Sequence, residues 1–83
     1  MSLETFYQFQ KELTRTDLRE LDVVALTADV TGDEGEALPE GAEGTIVDIC
    51  GDGDAFVVEF NDLGSALATL PAERLRLIER AAL

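Results

Sequence analysis

The side chains of this chain that could do chemistry are nearly all carboxylates. Eighteen Asp and Glu stand against six Lys and Arg, with no histidine and one cysteine. Two carboxylates can act as general acid and general base only where a cleft drives their proton affinities apart. Without an imidazole the commonest near-neutral base and metal ligand are both missing. Ser2 and Ser65 have no candidate base to activate them, and Cys50 has beside it neither the cation nor the histidine that reactive thiols keep. These residues predict a protein that is not an enzyme.

One spacing invites a metal ion. Asp29, Thr31, Asp33 and Glu40 fall at positions 1, 3, 5 and 12 of an EF-hand-like loop. The loop lacks what makes such a site close, because its sixth position is Glu34 instead of glycine and Pro39 stands where the exiting helix should start. A solvated acidic loop is expected there, with no metal and no cofactor. Gly51 and Gly53 do not build a phosphate cradle either, since acidic neighbours and a strand follow them where a helix start and a lysine would be needed.

The arrangement of charge says more than any motif. Between Arg19 and Arg74 there is no basic residue, while 14 of the 18 carboxylates lie in that stretch, and the net charge is −12. Such a surface repels nucleic acid and anionic membrane and attracts basic protein surfaces. No apolar run reaches the 18 or so residues that span a bilayer, and Met1–Glu4 lacks the basic start of a signal peptide. A cytoplasmic location is expected.

These side chains must be carried by a small fold, because 83 residues make one domain with a thin core. Residues 2–20 read as an amphipathic helix, capped at Ser2, with Phe6, Phe9 and Leu13 on one stripe. From Leu21 the pattern changes to short, β-branched runs. Leu21–Thr27, Thr45–Cys50, Ala55–Phe60 and Ser65–Leu70 read as strands, and Ala28–Glu43 as a long surface loop. Within Thr45–Cys50 strict alternation puts Val47 and Ile49 on one face and Ile46 and Asp48 on the other. Gly51-Asp52-Gly53-Asp54 is hairpin chemistry. At the end, a 3₁₀ turn at Pro71–Glu73 followed by a strand at Arg74–Ile78 competes with a helix over the same residues. Five short strands with tight turns predict a small barrel, whose closure would remove open edges.

The segments Leu21-Asp22-Val23-Val24-Ala25-Leu26-Thr27, Gly41-Ala42-Glu43-Gly44-Thr45-Ile46-Val47, Ala55-Phe56-Val57-Val58-Glu59-Phe60 and Thr69-Leu70-Pro71-Ala72-Glu73-Arg74-Leu75-Arg76-Leu77 resemble a family of small bacterial proteins of unknown function. The resemblance implies an SH3-like barrel over about residues 20–78 and supplies no activity. It suggests antitoxin, immunity or accessory roles. A weaker likeness of layout, with no shared motif, is to the SH3-like part of nitrile hydratase β subunits and their activator proteins.

The expectation is therefore a mainly β, five-stranded SH3-like barrel at 21–78, an N-terminal helical extension at 1–20 and a tail at 79–83. Proline-rich peptide binding is disfavoured, because there is no Trp and Phe56 and Phe60 share the inferred core face. The expected function is a non-catalytic protein-interaction module for a basic partner. The alternative is an accessory subunit or activator of a larger enzyme. Candidate contact residues are Asp33, Glu34, Glu36, Glu40 and Glu43 in the acidic loop, and Phe6, Phe9 and Leu13 on the helix, which could also join two copies of the chain.

Overall fold

The structure, a computed structural model, describes residues 18–81. The expected helix at 2–20, with Phe6, Phe9 and Leu13, lies almost wholly outside the described residues.

Among the described residues seven strands follow one another: β1 (Val23–Leu26), β2 (Val30–Thr31), β3 (Ala37–Leu38), β4 (Glu43–Cys50), β5 (Ala55–Phe60), β6 (Ala66–Leu70) and β7 (Leu75–Glu79). Five form an antiparallel sheet in the order β6-β5-β4-β1-β7, and β2 pairs with β3 as a separate hairpin. The alternation that marks half-buried strands is cleanest in β5 and β6. Phe56, Val58 and Phe60 face the core with Ala66, Ala68 and Leu70, while the residues between them are more exposed. Leu18, Val24, Leu26, Leu38, Ile46, Ala72 and Leu75 complete the core.

Two breaks in the pairing shape the sheet. Ile46 pairs with Val58 and Asp48 with Val57, so Val47 is an extra residue with no partner on β5. The bulge reverses the alternation expected for β4. Ile46 and Ile49 both pack on the core, and Asp48 turns away from it. On β7, Val24 pairs with Leu77 and Val23 with Glu79, which leaves Ile78 as the extra residue. Gly44 lets β4 pass close to β5. A Cβ there would lie 2.7 Å from Val58 Cγ1 and 2.8 Å from the Glu59 carbonyl oxygen.

The expected closed barrel is not formed. Strands β6 and β7 end the sheet on opposite sides and share no ladder. The physical reason is visible at β6, whose outward groups are taken by the loop that was expected to be merely solvated. Asp33 N–H donates to the Leu67 carbonyl at 2.8 Å. Its carboxylate accepts from Thr69 N–H at 3.0 Å and from the Thr69 hydroxyl at 2.9 Å. The edge is thereby capped by a hairpin turn, another way of protecting a sheet edge. The C-terminal ambiguity resolves as a 3₁₀ turn at Ala72–Arg74 leading into β7.

Candidate functional site

The acidic loop is a tethered hairpin. Pairing of Val30 with Leu38 and of Thr31 with Ala37 brings its arms together, and Gly32 and Gly35 make the turn. Gly35 has φ 89°, a conformation that glycine adopts without steric cost. A side chain at Gly32 would crowd the Leu67 carbonyl oxygen, 3.2 Å from its Cβ position, so this glycine permits the close approach to β6.

The five acidic candidates divide by what their carboxylates do. Asp33 is committed to Thr69, and Glu36 Oε1 accepts from Glu34 N–H at 3.2 Å. Asp29 ties off the base of the hairpin by accepting from Glu40 N–H at 2.7 Å. The backbone is thus fixed by some carboxylates while Glu34, Glu40 and Glu43 stand exposed. They do not form one compact cluster by sequence position: Glu34 is in the turn, Glu40 follows β3 and Glu43 opens β4. The EF-hand-like spacing is spent in the same way, because Asp29 and Asp33 hold backbone N–H groups. Among the described residues no group of His, Cys, Asp and Glu side chains is placed to hold a metal ion.

Two shallow depressions accompany these residues. One, of about 570 Å³, runs beside the hairpin and is lined by Asp29, Val30, Thr31, Ala37, Leu38 and Pro39. The other, of about 160 Å³, lies where β4 meets β5, and Glu43, Glu59 and Asp62 border it. Glu59 and Asp62 were not among the expected contact residues.

The most consequential residue missed from the sequence is Asp22. It is fully buried, yet all its donors are in place. Asp22 Oδ2 accepts from Arg19 N–H at 2.9 Å and pairs with Arg80 Nη1 at 3.0 Å, and Oδ1 accepts from Ala81 N–H at 2.9 Å. One carboxylate therefore clasps the chain entering the sheet to the chain leaving it. A signal for this existed, since a period of two from Val24 and Leu26 places Asp22 on the core face. Cys50 is half-buried and reduced, opposite Ala55.

No helix among the described residues is long and apolar enough to cross a membrane. Comparison with curated proteins and with solved structures gives no match. A family model described as a domain of unknown function (DUF4926) matches residues 20–77, more than half of the chain, and the chain belongs to that family.

Proposed function

We propose that this DUF4926 chain is a non-catalytic, acidic interaction module of the cytoplasm that recognises a basic protein surface, as an antitoxin, immunity or accessory partner does. The observation that carries the reading is the fixed acidic hairpin. Its backbone is pinned by Asp29 and Asp33 while Glu34, Glu40 and Glu43 face solvent, in a stretch without one Lys or Arg between Arg19 and Arg74. Carboxylates on a fixed frame steer a basic partner and set its orientation, and such rim charges act more on association rate than on affinity. A single cysteine also suits a reducing compartment.

The test begins with capture of the partner from native lysate on the immobilised protein, followed by association kinetics with the purified partner. Raising ionic strength from about 0.01 M to about 0.15 M shortens the screening length from roughly 30 Å to roughly 8 Å. The expected result is an association rate that falls steeply over that range, and falls less when Glu34, Glu40 and Glu43 are changed to Gln. A rate indifferent to salt refutes the reading.

A further inference from the structure

The sheet has two ends, and they are not treated alike. The hairpin turn at Asp33 takes the outward groups of β6, whereas among the described residues no strand pairs with the outer side of β7. Leu75 is buried there, and Arg76, Leu77, Ile78 and Glu79 are exposed. The phase of the ladder fixes which backbone groups face outward. Thr27 N–H donates to the Arg74 carbonyl at 2.9 Å, and hydrogen-bonded pairs alternate with unbonded ones along an antiparallel ladder. Arg76 opposite Ala25 is then a bonded pair, while Leu75 opposite Leu26 and Leu77 opposite Val24 turn their N–H and C=O away from β1. Leu26 agrees, since its N–H and its carbonyl are both spent on the other side, on Ala42 and Gly41. Leu75 N–H closes the 3₁₀ turn onto the Ala72 carbonyl. Among the described residues Leu77 is thus left with donor and acceptor both open at the edge.

The bulge decides what flanks those groups. Arg76 and Glu79 are three apart, which in a regular strand puts them on opposite faces. Because Ile78 is skipped, they stand opposite Ala25 and Val23, two apart on β1, and so share one face on either side of Leu77. Neither side chain has an ion-pair partner among the described residues. Bulges and charges ordinarily keep an edge from pairing. Here the two charges are opposite in sign and symmetric about Leu77, which makes the edge complementary to itself. Other registers fail: a two-fold at Arg76 or at Glu79 sets like charges opposite each other, and one at Leu75 needs an N–H already spent. The charge of the chain is also least forbidding at this edge. From Arg74 to Arg80 three arginines accompany one glutamate, in a molecule of net charge −12.

We infer that β7 is a homodimerisation edge: two copies pair antiparallel about Leu77, exchanging its N–H and C=O, with Arg76 of each copy opposite Glu79 of the other. Self-complementarity selects a second copy as the occupant, because an isologous contact presents the same residues from both sides. Leu77, 37% exposed and on the same face as the buried Val24, is covered by its counterpart. The two sheets become one, with an acidic hairpin at each far end. The inference stands apart from recognition of a basic partner, since it uses the opposite edge of the sheet.

Sedimentation of the full-length protein from micromolar to millimolar concentration, at physiological ionic strength, tests it. The expected result is a reversible monomer–dimer equilibrium, with hydrogen exchange at the Leu77 amide slowing as concentration rises. Arg76→Glu and Glu79→Arg each turn two attractive cross-strand pairs into two repulsive ones, and each should weaken the dimer roughly ten-fold or more. Charge load alone predicts otherwise, because Glu79→Arg lowers the net negative charge and would then favour association. An equimolar mixture of the two variants should dimerise again, as should the double variant, because both arrangements set Glu opposite Arg at every pair. Restored pairing in the mixture also shows that each variant is folded. A protein that stays monomeric up to millimolar concentration overturns the inference. So does a dimer that both single variants leave intact, since the copies then meet elsewhere, or a mixture no more associated than its components. Salt-dependent association with a captured basic partner is measured separately and survives each of these outcomes.

Discussion

Asp22→Asn changes one heavy atom and tests whether a buried carboxylate ties the chain entering β1 to the chain leaving β7. The side chain has no exposed surface and receives three donors, two backbone N–H groups and the Arg80 guanidinium. An amide of the same shape keeps one acceptor oxygen. Placed at the Oδ2 position, that oxygen still faces Arg19 N–H and Arg80, but the NH₂ group then meets Ala81 N–H, donor against donor. Placed the other way, the amide keeps Ala81 and opposes the other two. The better choice leaves one donor unsatisfied, which costs roughly 1–3 kcal/mol. It also makes the Arg19 N–H bond a neutral one of about half the strength and leaves the Arg80 guanidinium, still charged, without its counter-ion. Water offsets part of this at Arg80, whose side chain is 35% exposed. A loss of roughly 2–3 kcal/mol remains, and in a domain of this size that lowers the melting temperature by about 10–20 °C.

Thermal and urea unfolding of wild type, Asp22→Asn, Arg80→Met and the double variant measure it. The double variant should lose less than the sum of the singles, since both remove one interaction. The Asp22→Asn deficit should persist at high salt, because a buried pair is screened far less than the exposed carboxylates. A variant that melts within a degree or two of wild type, or penalties that add, would refute the clasp.

Three further substitutions probe the frame around it. Gly44→Ala drives a methyl to 2.7 Å from Val58 Cγ1 and 2.8 Å from the Glu59 carbonyl oxygen, so it should cost about 1–3 kcal/mol as overpacking does; urea midpoints report it, and a neutral result would mean that β4 and β5 can separate without loss. Leu21 has φ 72°, so Leu21→Gly relieves left-handed strain of roughly 1–2 kcal/mol and adds about 0.5–1 kcal/mol of glycine entropy. The urea midpoint should therefore rise slightly at unchanged slope, whereas a clear fall would show that the leucine is packed instead of strained. Asp33→Ala removes both bonds to Thr69. Hydrogen exchange at the Thr69 amide should quicken about ten-fold or more, and the bared β6 edge should promote concentration-dependent association; unchanged Thr69 protection would show that the hairpin is held by something else.

What the sequence disclosed follows from the range of each interaction. Ala55–Phe60 announces itself because Phe56, Val58 and Phe60 alternate cleanly, and Gly51–Asp54 marks its hairpin by residue type alone. The hairpin of β2 and β3 escapes because strands of two residues carry no periodicity, and the acids around them suggest solvent. The two bulges escape because a glycine is the usual local sign of one, and Val47 and Ile78 are not glycines. Strand number predicts closure of the barrel, but Asp33 caps the β6 edge from 36 residues away, beyond any local pattern. Asp22 is the instructive case. Its inward face is legible from Val24 and Leu26, while its donors Arg80 and Ala81 lie 58 and 59 residues along the chain, where local pattern has no reach.

The same contacts account for how so one-signed a chain folds. With six bases for eighteen acids, most carboxylates cannot find a cation within the chain. Several accept backbone N–H groups instead: Asp22 from Arg19 and Ala81, Asp29 from Glu40, Asp33 from Thr69, Glu36 from Glu34, Asp48 from Ile49. These bonds fix turns, edges and ends where a basic chain of this pattern could not, since Lys and Arg donate and cannot accept. The acidic composition therefore has two physically distinct parts. One part is structural, and its loss reads out as stability and exchange. The other part, including Glu34, Glu40 and Glu43, faces solvent on the frame the first part fixes, and its loss reads out in the salt dependence of association. Net charge alone cannot separate them, but the direction in which each carboxylate's oxygens point does.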